Sequence, residues 1–247
     1  MLRRSPSEAK GQLALAVPKP RCKWGGRREG AGRKSTGKAK GLPHRARPWH
    51  DADHPVHVTL KVRRGLGHLR RWATARVIGE AIREASTQSG AAAARRRTFR
   101  VVHFSIQPDH IHLIVEATSK RALGRGMGGL ASRLARRLND HFGRKGRLFR
   151  DRYHGRALAT PLEVRRAVAY VMTNAAKHDD PIPDPSTRPV DGVDPCSSAR
   201  WFTGWERPPP AQAKPSPVAE PHTWLLRKGW KRHGLLRRSE HPSIPAP

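Results

Sequence analysis

The stretch Pro108-Asp109-His110-Ile111-His112-Leu113-Ile114-Val115-Glu116 decides the predicted fold. His110 and His112 alternate with apolar residues, which is the pattern of a β-strand that buries one face. Residues 99–107 (FRVVHFSIQ) are also strand-like. Pro-Asp between two such runs is a turn signal, so the sequence predicts an antiparallel hairpin with a two-residue loop.

The flanking sequence predicts further elements on both sides of this hairpin. Before it, residues 56–62 (VHVTLKV) alternate as a strand does, and a helix is expected over 72–89. After it, a leucine-striped helix over 120–142 leads to a short strand at 156–159. Thr160, Pro161 and Glu163 then suit the N-cap, first and third positions of a helix that runs to about residue 177.

The resulting order, β-α-β-β-α-β followed by a helix, predicts an α+β fold. It corresponds to the ferredoxin-like split βαβ arrangement, with an antiparallel sheet and one appended C-terminal helix. We expect a flexible basic arm over 1–50, this domain over 51–180, and an extension over 181–247. The extension has 14 of the 22 prolines but keeps four tryptophans, so part of it is expected to pack on the core. Residues 223–233 are expected to form a short amphipathic helix.

The composition limits the class of protein. The chain has 247 residues, with 50 Lys and Arg against 19 Asp and Glu, a formal net charge of +31 that favours a polyanionic partner. The apolar run at 13–17 (LALAV) is too short for a signal sequence or a membrane span. Cys22 and Cys196 lie far apart, which argues against a disulfide scaffold or a zinc finger. We expect a cytoplasmic, nucleoid-associated protein with no membrane partner.

Two pairs of polar side chains could carry chemistry. His110 and His112 share one strand face, so their imidazoles can bind one divalent metal together with a third ligand. Tyr170 and Asn174 are four residues apart on the last helix and are therefore neighbours on one helix face. Taken singly, each feature has an ordinary explanation, such as a chance histidine pair or a packed tyrosine. Their combination on an arginine-rich chain favours a catalytic site.

The combination suits attack on a phosphodiester. A phenol has a pKa of about 10 and must be activated before it attacks phosphorus. A divalent cation held by imidazole and amide oxygen can polarise the phosphate and offset the developing charge. The phosphotyrosine product retains the energy of the phosphodiester, so strand transfer needs no ATP. The chain has no Gly-rich Walker-type loop, and no nucleotide cofactor is expected.

These residues resemble the single-tyrosine HUH transposases. Residues 108–113 (PDHIHL) are similar to the PDHxHL signature of that superfamily, and residues 166–178 (RAVAYVMTNAAKH) look like its tyrosine helix. Within the superfamily, the closest likeness is to the REP-associated tyrosine transposases, which share a segment like residues 149–156 (FRDRYHGR). The likeness covers residues 54–178 well. It extends more loosely to the Gly-Ala-Gly-Arg-Lys arm and to residues 194–202 and 223–226.

The resemblance implies a role for each matching residue. His110, His112 and Asn174 would hold a divalent metal, Mg²⁺ or Mn²⁺, and Tyr170 would be the nucleophile that forms a 5′-phosphotyrosyl link. The family acts on single-stranded DNA folded into imperfect hairpins, and its members include monomers and homodimers. Ala175 departs from the family pattern, in which proline often follows the asparagine, so the helix can continue further here.

A dense basic segment predicts contacts with the DNA backbone, the alternative being a solvated charged face. Trp72, Phe149 and Tyr153 are candidates for stacking on unpaired bases, although all three could equally belong to the core. The residues predicted to contact DNA are Arg133, Arg136, Arg137, Arg144, Lys145, Arg147, Arg150, Arg152 and Arg156, with Arg33 and Lys34 from the arm.

The sequence thus predicts a metal-dependent transposase that cleaves and rejoins single-stranded hairpin DNA through Tyr170. One alternative is a non-catalytic, domesticated hairpin-binding protein. Another is a metal phosphodiesterase that uses water in place of Tyr170. The intact set of four site residues argues against the first alternative, because DNA binding alone requires no imidazole pair.

Overall fold

The computed structural model describes residues 49–87, 98–177, 184–210, 212 and 214–240. Apart from Trp49 and His50, the predicted basic arm lies outside the described residues, and so do its predicted DNA-contacting residues Arg33 and Lys34. Within the described ranges, no helix is long and apolar enough to cross a membrane.

The domain follows the predicted order of elements. It runs β1 (Val56–Lys61), α1 (Trp72–Thr87), β2 (Phe99–Ile106), β3 (His110–Ala117), α2 (Lys120–His141), β4 (His154–Ala157) and α3 (Pro161–Thr173). Neighbouring strands are antiparallel, in the order β2-β3-β1-β4. The predicted α+β fold with split βαβ connectivity is confirmed. β4 begins two residues earlier than predicted, because His154 already pairs with Thr59 of β1.

The sheet has an apolar layer on each face. One face packs against α1 and α2, and the predicted leucine stripe of α2 closes this larger core. On the other face, Ile114 and Val102 pack against α3 and the C-terminal extension. A bulge in β2 between Val101 and His103 turns Val102 toward that second layer.

One glycine of α2 is required by packing. From propensity alone, the four glycines in the first half of α2 are expected to weaken it, each by up to about 1 kcal/mol relative to alanine. A Cβ at Gly126, however, would lie 2.1 Å from the Phe99 ring. The Phe99 ring therefore packs directly on the helix backbone, and no larger residue fits at position 126 without displacing it.

Helix α3 begins as its sequence predicts. Thr160 Oγ1 accepts a hydrogen bond from the Glu163 backbone N–H, and the Glu163 carboxylate accepts one from the Thr160 N–H, with Pro161 in the first turn. Arg156 also donates to Glu163, which joins the start of α3 to the end of β4. The α-helix ends at Thr173 and continues as a 3₁₀ turn over Asn174–Lys177, so helical structure reaches the predicted end.

The described part of the C-terminal extension packs on α3. Leu226 and Trp230 join Val168 of α3 in the second apolar layer. The buried carboxylate of Glu116 in β3 accepts hydrogen bonds from the Thr223 N–H and hydroxyl, which fixes the extension to the sheet.

The extension forms two helical turns where one helix over 223–233 is predicted. Helix α4 (Trp224–Arg227) is a single turn capped by Thr223, and a 3₁₀ turn over Gly229–His233 follows. A Cβ at Gly229 would lie 2.6 Å from the Trp224 ring. The contact between this ring and the backbone accompanies the break in the helix at Lys228.

A buried ion pair joins the loop before α1 to the extension. Arg70 donates to the two carboxylate oxygens of Asp194 at 2.8 and 2.9 Å, and the side chains are 3% and 2% exposed. Arg70 also donates to the backbone carbonyls of Ile106 and Thr187. Because Ile106 ends β2, the pair holds the extension against the strand that leads into the 108–109 turn.

We expect Asp194→Asn to destabilise the fold, because Arg70 then stays buried without its counter-charge. Breaking one partner of a buried pair costs about 3–5 kcal/mol, and the free energy of unfolding in urea should fall by about this amount. Arg76→Gln is the control, since it removes an exposed pair with Glu80 at 3.9 Å and should change the same free energy by less than about 1 kcal/mol. Equal destabilisation in the two variants would contradict the role given to the buried pair.

Candidate active site

The candidate site lies on the sheet face that α3 covers. β1 contributes His57 and Thr59, and β3 contributes His110 and His112, with Thr59 opposite His112 in the register. The four side chains share one face because alternate residues of neighbouring antiparallel strands align. The intervening apolar residues of β3 belong to the core on the opposite face, as the sequence predicts.

The two imidazoles of β3 face each other. Nε2 of His110 lies 2.9 Å from Nε2 of His112, and their ring centroids are 4.6 Å apart. His112 is buried, whereas His110 is partly exposed. Two nitrogen lone pairs repel each other at this distance, so the arrangement favours a proton or a metal ion shared between them.

Asp109 and Lys61 support His110 from the outer side. Oδ1 of Asp109 lies 2.6 Å from Nδ1 of His110, and Nζ of Lys61 lies 3.0 Å from the other carboxylate oxygen. Partial burial opposes ionisation of Asp109, but the hydrogen bonds from His110 and Lys61 outweigh it and hold the pKa of this carboxyl below its usual value. Asp109 is therefore a carboxylate acceptor beside the histidine pair.

β1 holds His112 through its other nitrogen. Nδ1 of His112 lies 3.2 Å from Nε2 of His57 and 3.2 Å from Oγ1 of Thr59. Burial, together with nearby positive charge led by Arg156, lowers the pKa of His57 to about 4. His57 is therefore neutral at neutral pH and can accept a hydrogen bond from His112.

Helix α3 places Tyr170 beside these imidazoles. The Tyr170 ring centroid lies 5.0 Å from that of His112 and 5.9 Å from that of His57, edge-on in each case. The structure thus brings the phenol and the histidine pair together within one chain. Burial raises the pKa of the Tyr170 phenol, and a weaker interaction with Asn174 lowers it. The phenol is protonated at neutral pH and needs activation to act as a nucleophile.

Asn174 is fully buried one turn after Tyr170. Its side chain is 0% exposed, and neither Oδ1 nor Nδ2 has a hydrogen-bond partner among the described residues. The amide is near enough to influence the Tyr170 phenol, but the two groups do not reach hydrogen-bond geometry. An unpartnered buried polar group costs about 1–3 kcal/mol. A buried amide with no hydrogen-bond partner within the described ranges therefore lies beside Tyr170.

The donor set fits a divalent metal. The described ranges contain no group of three or more His, Cys, Asp or Glu side chains suited to a metal. The ligand set predicted from the sequence instead combines two imidazole nitrogens with an amide oxygen. The Asn174 amide supports this set, because it is buried and has no hydrogen-bond partner among the described residues. A mixed nitrogen and oxygen set suits Mn²⁺ and can accept Mg²⁺.

The basic residues predicted to bind DNA form two groups. Some contact protein as well as solvent: Arg137 binds Glu84 of α1, and Arg144 binds Asn139. Arg156 is exposed but paired with Glu163, and Arg133 is partly buried. The remaining described residues of the predicted set are exposed to solvent, namely Arg136, Lys145, Arg147, Arg150 and Arg152. Of these, Arg147 and Arg150 also approach the Asp151 carboxylate, at 3.9 and 3.8 Å.

The three stacking candidates separate by exposure. Trp72 is 48% exposed and remains available to a ligand. Phe149 is buried in the larger core and Tyr153 packs against it, so these two rings serve the fold.

Four residues around the site are absent from the sequence-based prediction: His57, Thr59, Lys61 and Asp109. The first three are the polar positions of the β1 alternation, and Asp109 is predicted only as a turn residue. A usable signal exists for β1, because split βαβ connectivity places the first strand beside the third. Its polar positions must therefore face the histidine pair.

One protein-family model matches part of the chain. Residues 72–174, from the start of α1 through Asn174, match the family described as "Transposase IS200 like". This segment is similar to the IS200-like transposases. The match includes the histidine pair and Tyr170, and it confirms the transposase resemblance expected from the sequence.

The solved structures include a similar chain. It is described as "Structure of the REP associates tyrosine transposase bound to a REP hairpin" and shares 16% identity at a TM-score of 0.42. The similarity covers 56% of this chain and 75% of that chain. No curated protein matches the chain. The similarity to the IS200-like transposases rests on the family match over residues 72–174.

We expect the domain to lose stability in mild acid. Burial lowers the pKa of His103 to about 4, as it does for His57. The unfolded histidines bind protons near pH 6.5 and the folded ones only near pH 4, so the free energy of unfolding should fall as the pH drops between these values. His103→Gln should make this pH dependence shallower in urea unfolding. An unchanged slope would contradict the lowered pKa of His103.

Proposed function

We propose that this protein is a transposase that cleaves and rejoins single-stranded DNA at hairpins, with Tyr170 as the nucleophile. The observation that carries the proposal is the position of the Tyr170 ring, 5.0 Å from that of buried His112. The ring is also close to the Asn174 amide, which has no hydrogen-bond partner in the described part of the chain. DNA binding alone requires no such cluster. The IS200-like family of residues 72–174 supports transposase chemistry.

Cleavage starts at the hydroxyl of Tyr170. Its oxygen forms a bond to the scissile phosphorus and releases its proton to solvent, while the bond to the 3′-oxygen of the preceding nucleotide breaks. That oxygen leaves with the electron pair and is protonated, which gives a free 3′-hydroxyl and a 5′-phosphotyrosine. Attack by the 3′-hydroxyl of another strand reverses these steps and releases Tyr170. The number of phosphate ester bonds is unchanged, so no nucleotide is consumed.

His110, His112 and Asn174 would hold the divalent metal, Mg²⁺ or Mn²⁺. When bound, the metal supplies a Lewis acid that polarises a non-bridging phosphate oxygen and offsets developing charge. The protein contributes by positioning the reacting groups. The imidazole pair would set the position of the phosphate, and α3 sets the position of the attacking Tyr170 oxygen. These side chains come from a single chain, which supports catalysis within one copy.

The chemistry of the surface supports DNA as the partner. The net charge of +31 favours a polyanion, and the exposed arginines between α2 and β4 suit contacts with phosphates. The motif resemblance to the REP-associated tyrosine transposases supports a hairpin with single-stranded flanks as the substrate form.

We expect Tyr170→Phe to abolish covalent attachment of DNA. The variant keeps the ring and its contacts but lacks the hydroxyl that attacks phosphorus. A hairpin oligonucleotide labelled at its 3′ end is incubated with the protein and Mn²⁺. In a denaturing gel, the wild type should convert part of the label to a protein-linked species, and the variant should convert none.

Tyr153→Phe is the matched control, because the chain has only these two tyrosines. It should form the adduct as the wild type does. An equal adduct with Tyr170→Phe would refute the nucleophile. Nicked DNA without any protein-linked product in the wild type would favour the water-dependent phosphodiesterase. Equal hairpin affinity with and without a chelator, and no adduct, would favour the non-catalytic binding protein.

We expect hairpin affinity to depend on the exposed arginines and not on the histidine pair. Replacing Arg147, Arg150 and Arg152 together by glutamine should weaken binding. It should also lower the slope of log K against log salt by about 0.7–0.9 for each phosphate that the protein no longer neutralises. His112→Ala should bind almost as the wild type does, although it should not cleave. The measurement is fluorescence anisotropy over a salt series.

The control is a triple variant in the extension, in which Arg227, Lys228 and Arg232 are replaced by glutamine. It removes the same number of positive charges as the first triple variant. It should keep most of the affinity. If the two triple variants weaken binding equally, the affinity reflects net charge alone, and the assignment of the segment before β4 to the DNA is wrong.

A further inference from the structure

The turn at 108–109 holds a carboxylate against one of the two histidines. Oδ1 of Asp109 lies 2.6 Å from Nδ1 of His110, on the ring edge away from the neighbouring histidine. Lys61, which stands opposite His110 in the register, binds the other oxygen of the same carboxylate at 3.0 Å. The Asp109 carboxylate is thus engaged through both oxygens.

The backbone around this carboxylate is fixed. The Val62 N–H donates to the Asp109 carbonyl at 2.9 Å, and the Leu69 N–H donates to the Pro108 carbonyl at 2.9 Å. The turn itself is closed by a bond of 2.8 Å from the Gln107 N–H to the His110 carbonyl. The position of the Asp109 side chain therefore follows from strand pairing and not from a mobile loop.

A carboxylate in this position selects one tautomer of the imidazole. An ionised carboxylate can only accept hydrogen bonds, so Nδ1 of His110 must be the donor. The lone pair of His110 is then on Nε2, which lies 2.9 Å from Nε2 of His112. Nδ1 of His112 has its own neighbours, His57 and Thr59, at 3.2 Å. Both imidazoles are therefore supported at Nδ1 and present Nε2 to the same point.

We propose that Asp109 is a positioning residue of the metal site, which orients His110 and keeps its Nε2 lone pair directed at the shared ligand position. The proposal rests on the metal site of the proposed function. Asp109 is not itself a ligand, because the His110 ring separates its carboxylate from the point between the two Nε2 atoms. Partners of this kind commonly change metal affinity 10- to 100-fold, and a decrease of about this size is expected when the carboxylate is removed.

The test is a titration of the metal-free protein with Mn²⁺, in which free Mn²⁺ is followed by electron paramagnetic resonance. Asp109→Asn should raise the Kd for Mn²⁺ by about 10- to 100-fold. Asp109→Glu keeps a carboxylate and should recover part of the affinity. Asp51→Asn is the matched control, because it also removes one negative charge from a carboxylate near a histidine, His54, at 3.9 Å. The control should bind Mn²⁺ as the wild type does.

The variant His112→Ala distinguishes a failure of the role proposed for Asp109 from a failure of the metal site itself. If His112→Ala abolishes Mn²⁺ binding and Asp109→Asn does not weaken it, Asp109 has no positioning role and the metal site stands. If neither variant changes the Kd, the metal site of the proposed function is wrong and the role of Asp109 is wrong with it. An equal rise in Kd in Asp109→Asn and Asp109→Glu would indicate a disturbed turn and would also overturn the proposal. Unfolding midpoints in urea check that each variant is folded.

Discussion

The antiparallel pairing of β3 with β1 is the constraint on which the whole site depends. The side-chain period of a strand is two, so a shift of one residue would send His110 and His112 into the apolar core. The register is fixed by the apolar side chains of the opposite face and by the backbone bonds that hold the 108–109 turn. The same pairing that buries the core therefore places the imidazoles under α3, where Tyr170 can reach them.

Most of the fold could be predicted because its signals are local. Strand alternation, the Pro-Asp turn and the capping box of Thr160 and Glu163 each act within a few residues. The four residues of β4 are all exposed, so no apolar alternation marks the start of that strand. The break in the helix at Lys228 accompanies a contact of the Trp224 ring with the backbone at Gly229, within the same segment. Helix and strand propensities therefore predict neither the early start of β4 nor the break in the helix at Lys228.

The candidate site was predictable in its motif residues but not in their support. His110, His112, Tyr170 and Asn174 have characteristic spacings, and the structure brings the histidine pair and the phenol together. Asp109 stands beside His110 in the sequence, but the pattern predicts it only as a turn residue. The other partners lie on β1, and only the strand connectivity indicates that they face the histidine pair. The ion pair of Arg70 with Asp194, which are 124 positions apart, carries no local signal. Contacts between residues on different strands form only when the sheet assembles. A sequence pattern shows which positions are polar, but it does not show which of them will pair.

The unpartnered amide of Asn174 has a consequence for the evolution of this chain. A buried polar group without a partner lowers stability, and an apolar side chain of similar size at this position would relieve the penalty. Packing alone gives no reason for an asparagine at this position, whereas the proposed site does. In a chain that kept this fold without the proposed chemistry, an apolar residue at position 174 would carry no penalty, so the identity of this one residue separates the two cases.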